Sequence, residues 1–228
     1  MAFRYSLFIS YRRNKHEKHF IIQLKNKLES IASMVIPCEE VFFDEKSIKW
    51  GEEFDEKIYN SMLQSHFFVP IWQPTYLNEN KIWCAYELYY AIEIEKVIKE
   101  ETKNPTFCYI LPLVLCRPEP NPSQGVYESL HEGIAKKNYI EINDYIEGIK
   151  CKSRNKNFIS FEKKILSALS QRSAIEDMNI EELHSRIERP SRETIIEWIK
   201  THNRKIRGID SKKYNGLQAS DDFNNNGI

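Results

Sequence analysis

The chain lacks the glycine-rich loops that usually cradle nucleotides. Neither Gly-x-Gly-x-x-Gly nor Gly-Lys-Ser/Thr occurs in its 228 residues, which argues against ordinary redox or P-loop use of a nucleotide. It lacks net charge: Lys+Arg 33 balance Asp+Glu 33, so no global field draws it to nucleic acid or an anionic membrane. A charged partner has to be read by a local patch. It lacks paired cysteines. The five present (Cys38, Cys84, Cys108, Cys116, Cys151) are odd in number, widely spaced and free of any Cys-x-x-Cys, which fits a reducing, cytoplasmic setting. His16 and His19 have helical i,i+3 spacing but no accompanying ligand cluster, so they read as surface histidines and no metal is expected. No apolar run approaches the roughly 20 residues that span a bilayer, and the short run after Arg4 is no signal peptide; neither a membrane span nor export by that route is expected. There is no internal repeat, and no low-complexity segment beyond Asn224, Asn225 and Asn226.

What is present is ordinary globular material, 41% hydrophobic and 29% charged, enough for one sizeable core: one domain plus an appendage. Residues 5–9 are apolar, aromatic and β-branched, as in a strand buried on both faces. Phe20, Ile21, Leu24, Leu28 and Ile31 recur at helical spacing, and Pro37 closes that segment. Val41, Phe42 and Phe43 form a second strand that stops at Asp44, before a polar loop holding Ser47, Lys49, Trp50 and Gly51. Phe54, Ile58 and Met62 mark a helix face, residues 66–71 a third strand, residues 83–101 a long helix, residues 107–115 a fourth strand, and residues 139–142 a short fifth. Phe158, Phe161, Ile165, Leu166 and Leu169 mark a closing helix. The alternation predicts an α/β fold of (βα)₅ type, a five-stranded parallel sheet with helices on both faces, and the flavodoxin-like form of such a fold has the strand order 2-1-3-4-5.

In such a sheet, ligands bind outside the carboxyl ends of the strands, where the strand order reverses between the first and third. The first strand ends there in Ser10, Tyr11, Arg12, Arg13 and Asn14. Two arginines beside an aromatic ring suit a phosphate carrying a flat ring; equally, Arg12 and Arg13 can simply solvate a loop. On a wheel of about 100° per residue, Trp83, Ile94, Glu87, Ile98 and Ala91 share one arc of the long helix, with Glu87 in the middle. A carboxylate on an apolar face is costly unless partnered. It is either a structural group held by a loop backbone or by Arg12 or Arg13, or a functional group at the lip of a cleft.

These motifs together resemble the Toll/interleukin-receptor (TIR) domains, particularly their NAD-cleaving branch, over roughly residues 3–170. Phe8-Ile9-Ser10-Tyr11-Arg12-Arg13 is similar to that family's first-strand box, and Val41-Phe42-Phe43-Asp44 with Gly51 to its second strand and following loop. Trp83-Cys84-Ala85-Tyr86-Glu87 has the Trp-x-x-x-Glu spacing whose glutamate is the family's catalytic residue. Trp50 stands where many relatives carry a small residue or proline. The resemblance implies an NAD glycohydrolase with Glu87 as catalytic residue and NAD+ as substrate rather than cofactor. Tyr11, Arg12, Arg13, Trp50 and Trp83 are the candidate substrate-binding residues: Trp83 can stack on nicotinamide, an arginine can hold the pyrophosphate, and Glu87 can face the developing cation. It also implies self-association through TIR domains, an activating partner protein, and a role in bacterial antiviral defence by NAD depletion. A non-enzymatic scaffold and a synthase of a cyclic or conjugated ADP-ribose messenger are the alternative readings.

Beyond Gln171 aromatics thin out and charge density rises. The chain therefore divides into a TIR domain at 1–171, a helical extension at 172–207 and a disordered tail at 208–228. Ile180, Leu183, His184 and Ile187 suit one short helix; Ile195, Ile196, Ile199 and Ile206 suit another, beginning after Pro190 and Ser191. Too small to core alone, this stripe is expected to dock on its own domain or on a partner. The basic cluster Lys200, Arg204, Lys205 and Arg207 reads as a solvated helix face.

Overall fold

The strand that opens the chain has nowhere to be but the middle of a sheet. Six of the seven residues of β1 (Tyr5–Tyr11) are buried, on both faces alike. The computed structural model describes residues 3–13, 18–37, 40–43, 52–73, 76–78, 80, 82–115, 140–142 and 156–209. Within these, β1 pairs in parallel with β2 (Glu40–Phe43) on one side and β3 (Ser65–Trp72) on the other. Phe8 is in register with both Phe42 and Phe68, and the rings stack at 4.7 Å and 5.7 Å, a cross-strand ladder that fixes the pairing. β4 (Leu113–Val114) and β5 (Ile140–Glu141) complete a five-stranded sheet of order β2-β1-β3-β4-β5, the expected flavodoxin-like order. The fourth strand is shorter than the expected 107–115. Ile110 still bridges to Phe68, but Pro70, whose backbone nitrogen faces β4 between Phe68 and Trp72, has no N–H to give the ladder, and regular pairing resumes only at Leu113.

Helices cover both faces. α1 (Lys18–Ala32) and α4 (Lys156–Leu169) lie together on one, where Lys27 Nζ comes within 2.5 Å of Glu162 Oε1. α2 (Glu52–Leu63) and α3 (Trp83–Thr102) pack against the other. α1 buries Ile21, Leu24, Leu28 and Ile31, the stripe read from its spacing. α3 buries Ala91, Ile94 and Ile98, the apolar arc that carries Glu87. Among the described residues no helix is long and apolar enough to cross a membrane.

The helices after α4 are built into the same core. A 3-10 turn (Ser170–Ala174) leads to α5 (Ile180–Arg186), capped by Asn179 Oδ1 accepting from the Glu181 amide, and then to α6 (Arg192–Ile209). Ser191 Oγ accepts from the Thr194 amide, so the serine after Pro190 is the N-terminal cap. Ile175, Ile180, Leu183 and Ile187 join the central core, while Ile195 and Ile199 are buried against Ile82 and Ala85 of the α3 entry. Tyr59 of α2 donates its hydroxyl to the Ile187 carbonyl at 3.2 Å, and the Arg189 guanidinium sits 4.2 Å over its ring. The loop at residues 44–51, with Trp50, and the tail from residue 210 lie outside the described residues.

His66, at the start of β3, is buried beneath Phe3 (ring centroids 4.3 Å apart), and its Nδ1–H donates to the Tyr5 carbonyl at 3.1 Å. Burial pushes its pKa below the ordinary 6.5; the carbonyl partly offsets this. The folded value is therefore depressed. Above pH 6.5 neither state is charged and nothing is lost, whereas below it the unfolded chain takes up a proton that the folded chain refuses. Stability is expected to fall as the pH drops from about 6.5 through the folded value. Urea midpoints at pH 7 and pH 5 should separate more in the parental chain than in His66→Gln; equal separations would reject the assignment.

Candidate active site

At the carboxyl end of β1 the buried strand turns polar, and three elements converge on that point. Ser10 comes from β1, Tyr76 from the connection after β3, and Glu87 from the second turn of α3. Ser10 is 1% exposed, Tyr76 0% and Glu87 8%. Ser10 Oγ donates to Glu87 Oε2 at 2.5 Å, and the Tyr76 hydroxyl is hydrogen-bonded to the same Oγ. Cys84, one turn before Glu87, also interacts with Ser10. Burial above all, with the Glu87 carboxylate adding to it, pushes the Tyr76 hydroxyl well above its ordinary range. Burial, then the Glu87 charge, push the Cys84 thiol up, partly offset by Ser10 and Arg12. Both stay protonated at neutral pH, so the cluster holds a carboxylate among neutral donors.

Glu87 contrasts with the other buried glutamate of the same helix. Glu95 accepts the Ile110 amide at 3.0 Å and the Lys99 ammonium at 2.7 Å, which ties α3 to the sheet edge and compensates the charge. That is a structural carboxylate. Glu87 accepts from the Ser10 hydroxyl, at the strand terminus where the sheet order reverses.

The residues singled out from sequence fall around this point unequally. Tyr11 is half-buried, its ring parallel to that of Phe43 at 4.9 Å. Arg12 and Arg13 follow β1; the Arg12 carbonyl accepts from Gln73 Nε2 at 3.2 Å, and the Arg12 charge is felt at Cys84. Trp83 opens α3, half-buried, with its ring 6.1 Å from that of Tyr86. Trp50 lies outside the described residues. Sequence reasoning assigned no role to Tyr76, Gln73 or the Ser10 hydroxyl. The serine that closes the buried run of β1 was a readable signal; Tyr76, in the connection after the third strand, gave none. Among the described residues no group of three or more His, Cys, Asp or Glu is arranged to hold a metal ion.

Comparison with known proteins bears on the whole assembly. A TIR domain family model matches residues 7–153. None of the curated proteins compared with the chain matches it. Among solved structures, the chain is similar to the TIR domains of an activated Roq1 resistosome directly recognizing the pathogen effector XopQ. That likeness has 16% identity, 86% of this chain and 98% of that one covered, and a TM-score of 0.33. The family match takes in β1 to β5 together with Ser10, Tyr76, Trp83 and Glu87, well over half the chain: this protein belongs to the TIR domain family.

Proposed function

We propose that this chain is an NAD glycohydrolase that cleaves NAD+ to nicotinamide and ADP-ribose, or to a cyclic ADP-ribose, with Glu87 as its catalytic residue. The observation that carries the reading is the buried Glu87 carboxylate, held 2.5 Å from Ser10 Oγ at the carboxyl end of the central strand. In this reaction the bond between the ribose anomeric carbon and the nicotinamide nitrogen breaks and its electron pair leaves with nicotinamide. Positive charge develops on the ribose as an oxocarbenium ion, which water or a hydroxyl of the same molecule then captures. A carboxylate about 4 Å from that charge gains roughly 4 kcal/mol at an effective dielectric of 20, around a thousandfold in rate. Arg12 and Arg13, with their fixed positive charge, suit the pyrophosphate, and the flat faces of Tyr11 and Trp83 suit the two rings of a dinucleotide. Depletion of NAD in antiviral defence is the cellular role this reading entails.

Activity is assigned to an assembly of TIR domains, with Trp50 as the aromatic anchor between neighbours. Incubation of the protein with NAD+ should release nicotinamide, with specific activity rising as protein concentration rises. Product chromatography separates ADP-ribose from a cyclic form. Concentrated protein that assembles without releasing nicotinamide would return the chain to the adaptor reading, and constant specific activity in a persistent monomer would remove the assembly requirement.

A further inference from the structure

A serine hydroxyl has one proton and two lone pairs, and an ionised carboxylate can only accept. With the Ser10 proton committed to Glu87 Oε2 at 2.5 Å, the Tyr76 hydroxyl on the same Oγ must be the donor of its own hydrogen bond. The direction of the chain is thereby fixed: Tyr76 donates to Ser10, and Ser10 donates to Glu87. Its far end is anchored. Tyr76 is fully buried, its ring packs 4.9 Å from that of Trp72, and its amide donates to the Gln73 carbonyl at 2.8 Å. Gln73 in turn reaches the Arg12 carbonyl, so the β3–α3 connection grips the end of β1 at two points. An alanine would fill the Ser10 position on steric grounds alone; what calls for a hydroxyl there is the pair of polar groups it joins.

We infer that Tyr76 and Ser10 are positioning residues, a two-link relay that sets the orientation and the ionised state of the Glu87 carboxylate. Their effect on turnover rests on the glycohydrolase reading, whereas the relay itself does not. Polarised by Tyr76, Ser10 is a stronger donor to the anion than an isolated serine. Among the described residues, the titratable and charged groups facing the cluster include Tyr76 from the β3–α3 connection, Cys84 from α3 and Arg12 from the end of β1. The first two are protonated and Arg12 is charged throughout, so removing the hydroxyl donor is the change that Ser10→Ala makes to the Glu87 titration.

The test uses the full chain with Ser10→Ala, Tyr76→Phe and Ser10→Thr, and two readouts. The first is the titration of the Glu87 carboxyl by carbon NMR, its signal assigned by loss in Glu87→Gln. The second is kcat, KM and the pH–rate profile for nicotinamide release. Ser10→Ala should move the Glu87 midpoint and the acidic limb of the profile to higher pH, because the ionised form has lost a donor. It should also lower kcat about tenfold to a hundredfold with KM little changed, the size expected for one hydrogen bond to a charged group. Tyr76→Phe should shift both readouts the same way by less, and Ser10→Thr, which restores a hydroxyl, should recover most of kcat. An unmoved Glu87 titration and parental kcat in folded Ser10→Ala would overturn the relay. Should that variant fail to fold, Tyr76→Phe decides, since its ring still packs on Trp72. A shifted titration in a chain that releases no nicotinamide would leave the relay standing and remove the glycohydrolase reading.

Discussion

Glu87→Gln is expected to remove nicotinamide release, by about a thousandfold or more, while the protein stays folded. The amide matches the carboxylate in size, and its carbonyl oxygen can still accept from Ser10, so the link to β1 survives. What disappears is the negative charge facing the cation as nicotinamide departs. That interaction strengthens in the transition state, as the positive charge passes from the nicotinamide ring to the ribose, so the loss should fall mainly on kcat. Stability should hold or rise, because a carboxylate buried on the apolar face that carries Ala91, Ile94 and Ile98 costs more to bury than a neutral amide. A structural glutamate predicts the reverse: an unstable variant whose folded fraction retains full activity. Glu95 is the built-in control. Glu95→Gln deletes the charge that Lys99 compensates while leaving an acceptor for the Ile110 amide, and it should reduce stability without changing kcat. Melting and nicotinamide release measured on the same preparations decide the matter, and a well-folded Glu87→Gln with parental turnover would sink the catalytic assignment.

How far the sequence could be read depended on the range of the interactions involved. β1 and α1 were legible because burial on both faces, or along one stripe, leaves a local apolar pattern that needs no partner to be recognised. The parallel sheet followed from the alternation of strands and helices, and its order from the flavodoxin-like form of such a fold. The fourth strand is shorter than its apolar run because Pro70 of the neighbouring β3 lacks the N–H that would bond it there, and composition along one strand does not show what its partner lacks. Glu87 stood out as a charge on an apolar arc, yet its partner did not: Ser10 lies 77 positions away and Tyr76 lies 66 from Ser10, separations at which no periodicity carries information. Likewise the isoleucine stripe of α6 announced a need for cover without naming Ile82 and Ala85 as the surface that meets it.

Ending the chain at Gln171 is expected to abolish cooperative folding, although the family match stops at residue 153. The cut removes Ile175, Ile180, Leu183 and Ile187 from the central core and Ile195 and Ile199 from the α3 entry, all of them buried. At about 1.5–3 kcal/mol for each buried aliphatic side chain, six such losses amount to roughly 9–18 kcal/mol, comparable to the whole stability of a typical domain. The cut also strips Arg189 and the Ile187 carbonyl from Tyr59 and takes Trp198 from the edge of the Tyr89 ring, baring apolar surface on α2 and α3. The consequence reaches the site, because α3 carries Glu87 on the face toward the sheet and Ala85 and Tyr89 on the face that α6 covers. A milder lesion, Ile199→Asp, should therefore lower the melting temperature and loosen the first turns of α3, reducing kcat without touching any residue near the substrate. Thermal melts of the full chain, the chain ending at Gln171 and Ile199→Asp test this directly. A truncated protein that melts cooperatively within a few degrees of the full chain would show that the extension merely rests on the domain, whereas loss of the transition would place the folding unit well beyond the family boundary.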